Sequence, residues 1–316
     1  MVGFNNIISK LPLAKMLKKR CEDGNLSHAY LFISPDEEYL IGFCNWFASE
    51  ILKNKVKVES RTHPDLVLID ENKLISVEMV TPIVSDVYMT PYEAEYKVYL
   101  IKDASVMTDE AQNKLLKTIE EPPEKVIIIL GASSANTLLT TILSRVAKFN
   151  LEPLSEHDIS NLLVLSGVGE NLASVYASCS GGNFTHAKNL SLDSEFIDLF
   201  LLVLEMFKTV NGSKDILKFL SKFNFQKFSL LEFFDLTISV ARDIIALEAE
   251  QLNLIVNKSN ISHLKECAVG FNVVSLVKII ELAIEARKDL TFNANNQAVL
   301  DEFLLKMVEA KVTCKK

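Results

Sequence analysis

The chain has 316 residues, of which 49% are hydrophobic and 23% are charged, a composition typical of a globular protein large enough for two or three domains. Its formal net charge of −8 argues against a protein that binds nucleic acid by bulk electrostatic attraction alone. Its five cysteines show no paired spacing, so the sequence predicts neither a disulfide framework nor a zinc site.

Neither a secretory signal nor a membrane span is predicted. No basic segment leads into an apolar run near the first residue. The longest apolar stretch, around Phe196–Phe207, is interrupted by Asp198 and Glu205 and is shorter than the roughly 20 residues that cross a bilayer. We therefore expect a cytoplasmic protein with no membrane partner.

Short apolar runs alternate with helical patterns between Ala29 and Asn150. This alternation is typical of parallel strands joined by crossover helices, and the continuous apolar run Val126–Leu130 is typical of a strand buried on both faces. The pattern predicts a doubly wound α/β domain. Its predicted strands are Ala29–Ile33, Asp65–Ile69, Lys97–Ile101, Val126–Gly131 and Ala147–Asn150.

The pattern becomes helical after residue 152. Ser155–Asp158 is typical of a capped helix start, and the Ser180–Asn183 cluster predicts a turn. Farther on, Val273, Leu276 and Ile280 recur at three- and four-residue steps, which predicts a helical bundle. The predicted domains are 1–152 for the α/β domain, 153–194 for a small helical domain and 195–316 for a C-terminal helical domain.

Several motifs occur in a fixed order along the first domain. His28–Phe32 reads His-Ala-Tyr-Leu-Phe, Lys97–Ile101 is an apolar strand, Leu115–Pro123 ends in Glu-Glu-Pro-Pro, and Ile142–Arg145 reads Ile-Leu-Ser-Arg. By these motifs the chain resembles the clamp-loader branch of the AAA+ ATPases, and within it the delta-prime type of bacterial DNA polymerase III subunit. The resemblance implies a RecA-like AAA+ domain, a helical lid and a helical collar through which subunits assemble.

The resemblance also implies partners. In this family the subunit is the stator of a ring-like pentamer that opens a β sliding clamp and places it on primed DNA. We therefore expect gamma/tau and delta clamp-loader subunits as direct partners, and the clamp and primed DNA as partners through the complex. Weaker similarity continues through Ser178–Gly182 and Ala187, in the lid region, to Asn293–Asn296.

The loop after the first strand lacks the chemistry of a phosphate-binding loop. Such a loop needs glycines whose backbone N–H groups converge on phosphate, a lysine for the β- and γ-phosphates, and a hydroxyl for magnesium. Aligned on His28–Phe32, the lysine position is Leu40 and the hydroxyl position is Ile41. The three glycine positions hold Ser34, Glu37 and Tyr39.

The metal-binding signature is lost as well. The strand Val98–Ile101 should end at two carboxylates, but Lys102 and Asp103 stand there, and a lysine cannot ligate magnesium. The two losses predict that the chain is not an ATPase in isolation and needs no cofactor. The resemblance implies that it is a component of the polymerase holoenzyme. No metal is expected, because Leu52–Thr62, where many relatives carry four zinc-binding cysteines, has none.

The segment Ser144-Arg145-Val146 resembles the family's Ser-Arg-Cys motif, whose arginine reaches ATP bound by the adjacent motor subunit. Arg145 precedes an apolar strand, so it should lie at the edge of the domain. A guanidinium there could neutralise charge on a γ-phosphate across an interface. The resemblance thus implies that Ser144 and Arg145 form an arginine finger in trans; a local ion pair is the alternative.

Two other functions stay open at this point. A divergent gamma/tau-type ATPase is disfavoured by Leu40, Ile41 and Lys102, and nucleotide binding by the isolated chain would favour it. A clamp-opening delta subunit is disfavoured because Ser144–Arg145 and Glu120–Pro123 match the delta-prime motifs. Tight binding of the isolated chain to the clamp would favour it.

Overall fold

The computed structural model describes residues 2–70, 74–256, 261–291 and 295–313; Cys314 and the first half of the Asn293–Asn296 segment lie outside these ranges. The chain forms two compact units. The first comprises Met1–Leu154 with Asn183–Thr185, and the second comprises Ser155–Gly182 with His186–Lys316. The prediction of an α/β domain followed by an all-helical region is confirmed. The division of the helical region into a lid and a collar stays a prediction.

The first unit is built on a parallel sheet with the strand order β2-β3-β4-β1-β5. Every residue of the central strand β4 is buried, as its continuous apolar sequence predicts. All five predicted strands are present within a residue of their predicted ends. The strands are β1 Ala29–Ile33, β2 Leu66–Ile69, β3 Lys97–Ile101, β4 Val126–Ala132 and β5 Ala147–Asn150.

Two different cores cover the faces of this sheet, because successive residues of a strand point to opposite sides. Leu31 of β1 belongs to a largely aliphatic core with residues of α5 and α6. Tyr30 points to the other face and meets Phe47 of α3, with ring centroids 4.7 Å apart. The helices of this unit are α1 Val2–Ile8, α2 Pro12–Glu22, α3 Glu37–Leu52, α4 Lys55–Glu59, α5 Val77–Asp86, α6 Asp109–Glu120 and α7 Thr140–Leu143.

A buried aspartate anchors the loop before β3. Asp65 is fully buried, and its carboxylate accepts hydrogen bonds from the backbone N–H groups of Tyr92, Glu93 and Ala94 at 2.5 to 2.9 Å. Burial on its own would raise the pKa of Asp65, but the three backbone donors and the nearby His63 hold that pKa below its ordinary value of 3.8. This carboxylate is therefore a structural element of the first unit.

Replacing Asp65 with asparagine should lower the free energy of unfolding at neutral pH by about 2 kcal/mol, because an amide offers one oxygen and no charge to three donors. The folded-state pKa is depressed, so the contribution is complete above the ordinary pKa and is lost as the pH falls through the folded-state pKa. Urea unfolding of both proteins should show a difference that shrinks below about pH 4. A difference that stays constant on acidification would contradict this.

The second unit is helical throughout the part that the structure describes. Its core is rich in phenylalanine: Phe233 of α13 contacts Phe223 and Phe303 with ring centroids 5.4 and 6.1 Å apart. Arg287 pairs with Asp235 at 2.8 Å and so links α15 to α13. The helices are α8 Glu156–Leu165, α9 Glu170–Cys179, α10 Phe184–Leu192, which belongs to this unit from His186 on, α11 Phe196–Thr209, α12 Ser213–Lys222, α13 Leu230–Glu248, α14 Ile261–Ala268, α15 Val273–Thr291 and α16 Asn296–Thr313.

Within the described residues no single helix is both long enough and apolar enough to cross a membrane. The pair α14 and α15, bent by 101° where they meet, satisfies the same two conditions together, by length and composition only.

Candidate functional site

The residues aligned with a nucleotide site lie at one edge of the sheet. In a parallel sheet the carboxyl ends of the strands meet at a common edge. Ser34–Ile41 follow β1, and Lys102 and Asp103 follow β3, with β4 between the two strands. The fold therefore brings the two degenerate segments together.

Asp36 caps the helix that begins where a phosphate-binding loop would end. Helix α3 starts at Glu37, and Asp36 Oδ1 accepts a hydrogen bond from the Tyr39 N–H at 3.2 Å. The Asp36 N–H donates in turn to Ser34 Oγ at 3.1 Å. Aspartate is a favoured N-cap because its oxygen satisfies one of the N–H groups that a helix leaves unpaired. Ser34 and Tyr39, two of the aligned glycine positions, thus take part in a helix cap.

A second segment of the first unit, Asn183–Thr185, forms hydrogen bonds with this cap. The Phe184 N–H donates to Asp36 Oδ2, and Thr185 Oγ1 donates to Asp36 Oδ1 at 2.7 Å. Thr185 Oγ1 also accepts a hydrogen bond from the Glu38 N–H at 3.0 Å. The N–H groups of Glu38 and Tyr39, in the first turn of the helix, therefore donate hydrogen bonds to side chains of this same chain.

Apolar packing fills the aligned lysine position. Leu40 is 3% exposed and lies against β4, where its Cδ2 is 3.4 Å from the point that a Cβ on Gly131 would occupy. Tyr39 is also buried and stacks on Phe4 with ring centroids 6.3 Å apart, and Ile41 is partly buried. The hydrocarbon side chains of Leu40 and Ile41 offer a phosphate neither charge nor hydrogen bonds.

Lys102 joins the two segments through carboxylates. Its ammonium lies 2.9 Å from Asp70 Oδ1, at the end of β2, and 3.5 Å from Glu37 Oε1. Arg61 contacts the other oxygen of Asp70 at 2.5 Å. Burial alone would raise the pKa of Asp70, but Lys102 and Arg61 lower that pKa below its ordinary value. A side-chain cation thus occupies the end of the strand where the family's metal-binding carboxylates would lie.

Asp103 has a local role. Its carboxylate accepts a hydrogen bond from the Ser105 N–H at 2.9 Å and caps a single turn of 3-10 helix over Ala104–Val106. Ser105 Oγ accepts from the Ser133 N–H at 2.8 Å and so ties the loop after β3 to the loop after β4. Among the described residues, no group of three or more His, Cys, Asp or Glu side chains could hold a metal ion.

Arg145 lies between α7 and β5 and is held by its own domain. Its Nη2 is 3.0 Å from Glu120 Oε1, and its Nη1 donates to the Thr141 carbonyl at 3.0 Å and to Ser144 Oγ at 3.1 Å. The side chain is 40% exposed. Ser144 and Arg145 therefore do lie together at the surface, and the carboxylate of the Glu-Glu-Pro-Pro motif is the counter-ion.

The arginine and the degenerate nucleotide segments lie at opposite edges of the sheet. Arg145 precedes β5, and Glu120 ends the helix that leads to β4. Both therefore lie where the amino ends of the parallel strands meet, the amino edge of the sheet. Ser34 and Lys102 follow their strands at the carboxyl edge. Four strand residues at about 3.3 Å each separate the edges by roughly 13 Å. Arg145 therefore lies too far away to act at the carboxyl edge of its own sheet.

Three residues that organise this edge are not among the site residues predicted from the sequence: Asp36, Asp70 and Thr185. A signal existed for Asp36, because an aspartate directly before a helical pattern is a typical N-cap. A signal existed for Asp70 too, since it directly follows a buried strand. Thr185 is about 150 residues away in sequence, and no local pattern points to its contact with Asp36.

Comparison with known proteins gives matches of three kinds: a family model, curated proteins and solved structures. A family model described as "DNA polymerase III, delta subunit" matches residues 10–155. Among curated proteins, the DNA polymerase III subunit delta' of Bacillus subtilis is 26% identical over 93% of this chain and 95% of its own length. The DNA polymerase III subunit gamma of Buchnera aphidicola from Schizaphis graminum is 28% identical over 77% of this chain and 74% of its own length.

Among solved structures, a DNA polymerase III gamma subunit-related protein from Thermotoga maritima is 19% identical, with a TM-score of 0.44, and the match covers 94% of this chain and 99% of that one. The family model matches the parallel-sheet unit, and the similarity to the delta' subunit extends through the helical unit. The chain is therefore similar to subunits of DNA polymerase III, and its similarity to the delta' subunit covers almost its whole length.

Proposed function

We propose that this chain is a non-hydrolysing stator of a DNA polymerase III clamp loader and that it supplies Arg145 to ATP bound by a neighbouring subunit. The observation that carries the proposal is the filled carboxyl edge of the sheet. Leu40 packs where a phosphate-binding lysine would lie, and the Lys102 ammonium lies between Asp70 and Glu37. Such a site stabilises its own domain, and ATP is hydrolysed by the neighbouring subunits.

The geometry of Arg145 supports action in trans. The side chain is partly exposed, at the sheet edge opposite its own degenerate site, and its ion pair with Glu120 is at the surface. Exposed ion pairs are worth at most about 1 kcal/mol, so a γ-phosphate could compete for the guanidinium at little cost. An arginine that reaches a neighbour's γ-phosphate stabilises the charge that develops in phosphoryl transfer.

The proposed partners are gamma/tau and delta subunits, with the β sliding clamp and primed DNA engaged through the complex. The names of the relatives support this assignment, and replication on the chromosome implies a cytoplasmic location. Lys57 is paired with Glu93 at 2.6 Å and Lys53 with Glu95 at 3.6 Å, so carboxylates of the chain offset these positive charges. This fits a DNA contact that is shared with other subunits.

The similarity to gamma subunits favours a second candidate, a divergent ATPase of the gamma/tau type. The two candidates differ in what the isolated chain does with ATP. A motor subunit would bind and slowly hydrolyse it, whereas a stator would do neither.

Reconstitution tests the proposal. The chain should co-elute with its cognate gamma/tau and delta subunits, and the ATPase rate stimulated by clamp and primed DNA should depend on its presence. Failure to co-elute would overturn the stator assignment. Equal stimulated rates with and without the chain would overturn its contribution to catalysis.

A further inference from the structure

The carboxylate of Asp36 is surrounded by donors from two distant parts of the chain. It is 2% exposed. Oδ1 accepts from the Tyr39 N–H at 3.2 Å, from Thr185 Oγ1 at 2.7 Å and from the Thr185 N–H at 3.3 Å, while Oδ2 accepts from the Phe184 N–H. A helix cap needs only one or two of these bonds, so the other donors need a different explanation.

The arrangement is that of a bound anion. Backbone N–H groups that converge on one point at the start of a helix bind phosphate or carboxylate, because the groups are unpaired and the helix dipole favours negative charge. Helix α3 has 16 residues, and three backbone N–H groups and one hydroxyl converge on the Asp36 carboxylate at its start.

The donors around this position are also linked to one another. Thr185 Oγ1 receives the Glu38 N–H while it donates to Asp36, and the Leu40 N–H donates to the Asp36 carbonyl at 2.9 Å. The segment Asn183–Thr185 belongs to the first unit, although the residues on both sides of it belong to the second. Every bond from Phe184 and Thr185 described above ends on Asp36 or on the first turn of α3.

We propose that Asp36 is an internal ligand: its carboxylate occupies the anion position at the start of α3 and fixes Asn183–Thr185 to the first unit without any nucleotide. The inference rests on the proposed function in one respect, because it takes this position as the one where a motor subunit would bind phosphate. The chain thereby keeps the contact that an anion would make and no longer depends on binding one.

The proposal predicts that an external anion can replace the carboxylate. In Asp36→Ala the Tyr39, Phe184 and Thr185 donors lose their acceptor, so the melting temperature should fall. Inorganic phosphate should then raise the melting temperature of this variant by several degrees, because a ligand that binds only the folded state stabilises it. Potassium chloride at equal ionic strength should not, and wild type should show no phosphate-specific shift.

Asp103→Ala is the matched control, since Asp103 is a capping aspartate at the same sheet edge whose carboxylate, among the described residues, accepts from the Ser105 N–H alone. It should show no phosphate-specific shift. An Asp36→Ala protein that responds to phosphate no more than the Asp103→Ala protein would overturn the proposal.

A second variant keeps the test decisive if Asp36→Ala does not fold. Asp36→Asn retains one carbonyl oxygen for the cap, but its amide nitrogen cannot accept the Phe184 N–H. Hydrogen exchange of the Phe184 amide should become at least tenfold faster, and an unchanged rate would overturn the proposal. Both measurements use the isolated 316-residue chain, so a failed reconstitution would contradict the stator assignment and leave this result standing.

Discussion

Replacing Arg145 with alanine should abolish hydrolysis at the one active site next to this chain, so the stimulated ATPase rate of the reconstituted complex should lose that site's share, with assembly intact. An arginine finger is worth on the order of 10³-fold or more at the active site that it completes, so the site next to this chain should become almost silent. The other active sites of the complex account for the residual rate. The rate is measured with clamp and primed DNA present, and size-exclusion chromatography checks assembly.

Two variants separate this effect from a general loss of charge. Arg145→Lys keeps one positive charge but not the two-pronged guanidinium, so it should recover little of the rate. Arg242→Ala removes another exposed arginine, paired with Glu156 at 3.4 Å, and should leave the rate unchanged. If the Arg145→Ala complex assembles and its ATPase rate is unchanged, Arg145 is not an arginine finger. The chain would then act only as a scaffold.

Replacing Gly131 with alanine should destabilise the first unit by about 3 kcal/mol or more. Gly131 lies in the central strand β4, and a Cβ added there would lie 2.3 Å from the Lys102 carbonyl oxygen. That oxygen belongs to the backbone at the end of β3, so the sheet itself must shift, and overpacking of this kind typically costs 1 to 3 kcal/mol or somewhat more. Urea unfolding of the purified variant measures the loss.

Gly169→Ala is the control for this substitution. Gly169 precedes α9 with a φ of −62°, and an added Cβ meets nothing within 4 Å. The only expected cost there is a poorer helix cap, at most about 1 kcal/mol. Equal losses at the two glycines would contradict the account of crowding between β3 and β4.

The sequence predicted the sheet well because its signal is local. Each strand is a short apolar run bounded by polar residues, and the only error at the start of a strand was one residue, Asp65. That error has a physical cause: the Asp65 carboxylate binds the N–H groups of Tyr92, Glu93 and Ala94, and the strand begins just after it.

The degenerate site was only half predictable. Leu40 and Lys102 reveal from their residue types what is missing, since a leucine cannot bind a phosphate and a lysine cannot ligate a metal. What replaces the missing groups depends on contacts between residues far apart in sequence, such as Thr185 with Asp36 and Lys102 with Asp70. Such pairings follow from the folded chain and carry no signature in a local pattern.

The most direct test of the central claim is the equilibrium binding of a non-hydrolysable ATP analogue, with magnesium, to the isolated 316-residue chain by titration calorimetry. A chain whose phosphate position is taken by its own carboxylate should show no saturable binding up to about 1 mM analogue, corresponding to a binding free energy weaker than about −4 kcal/mol. Saturable binding with a dissociation constant in the micromolar range would contradict the account and favour a motor subunit of the gamma/tau type.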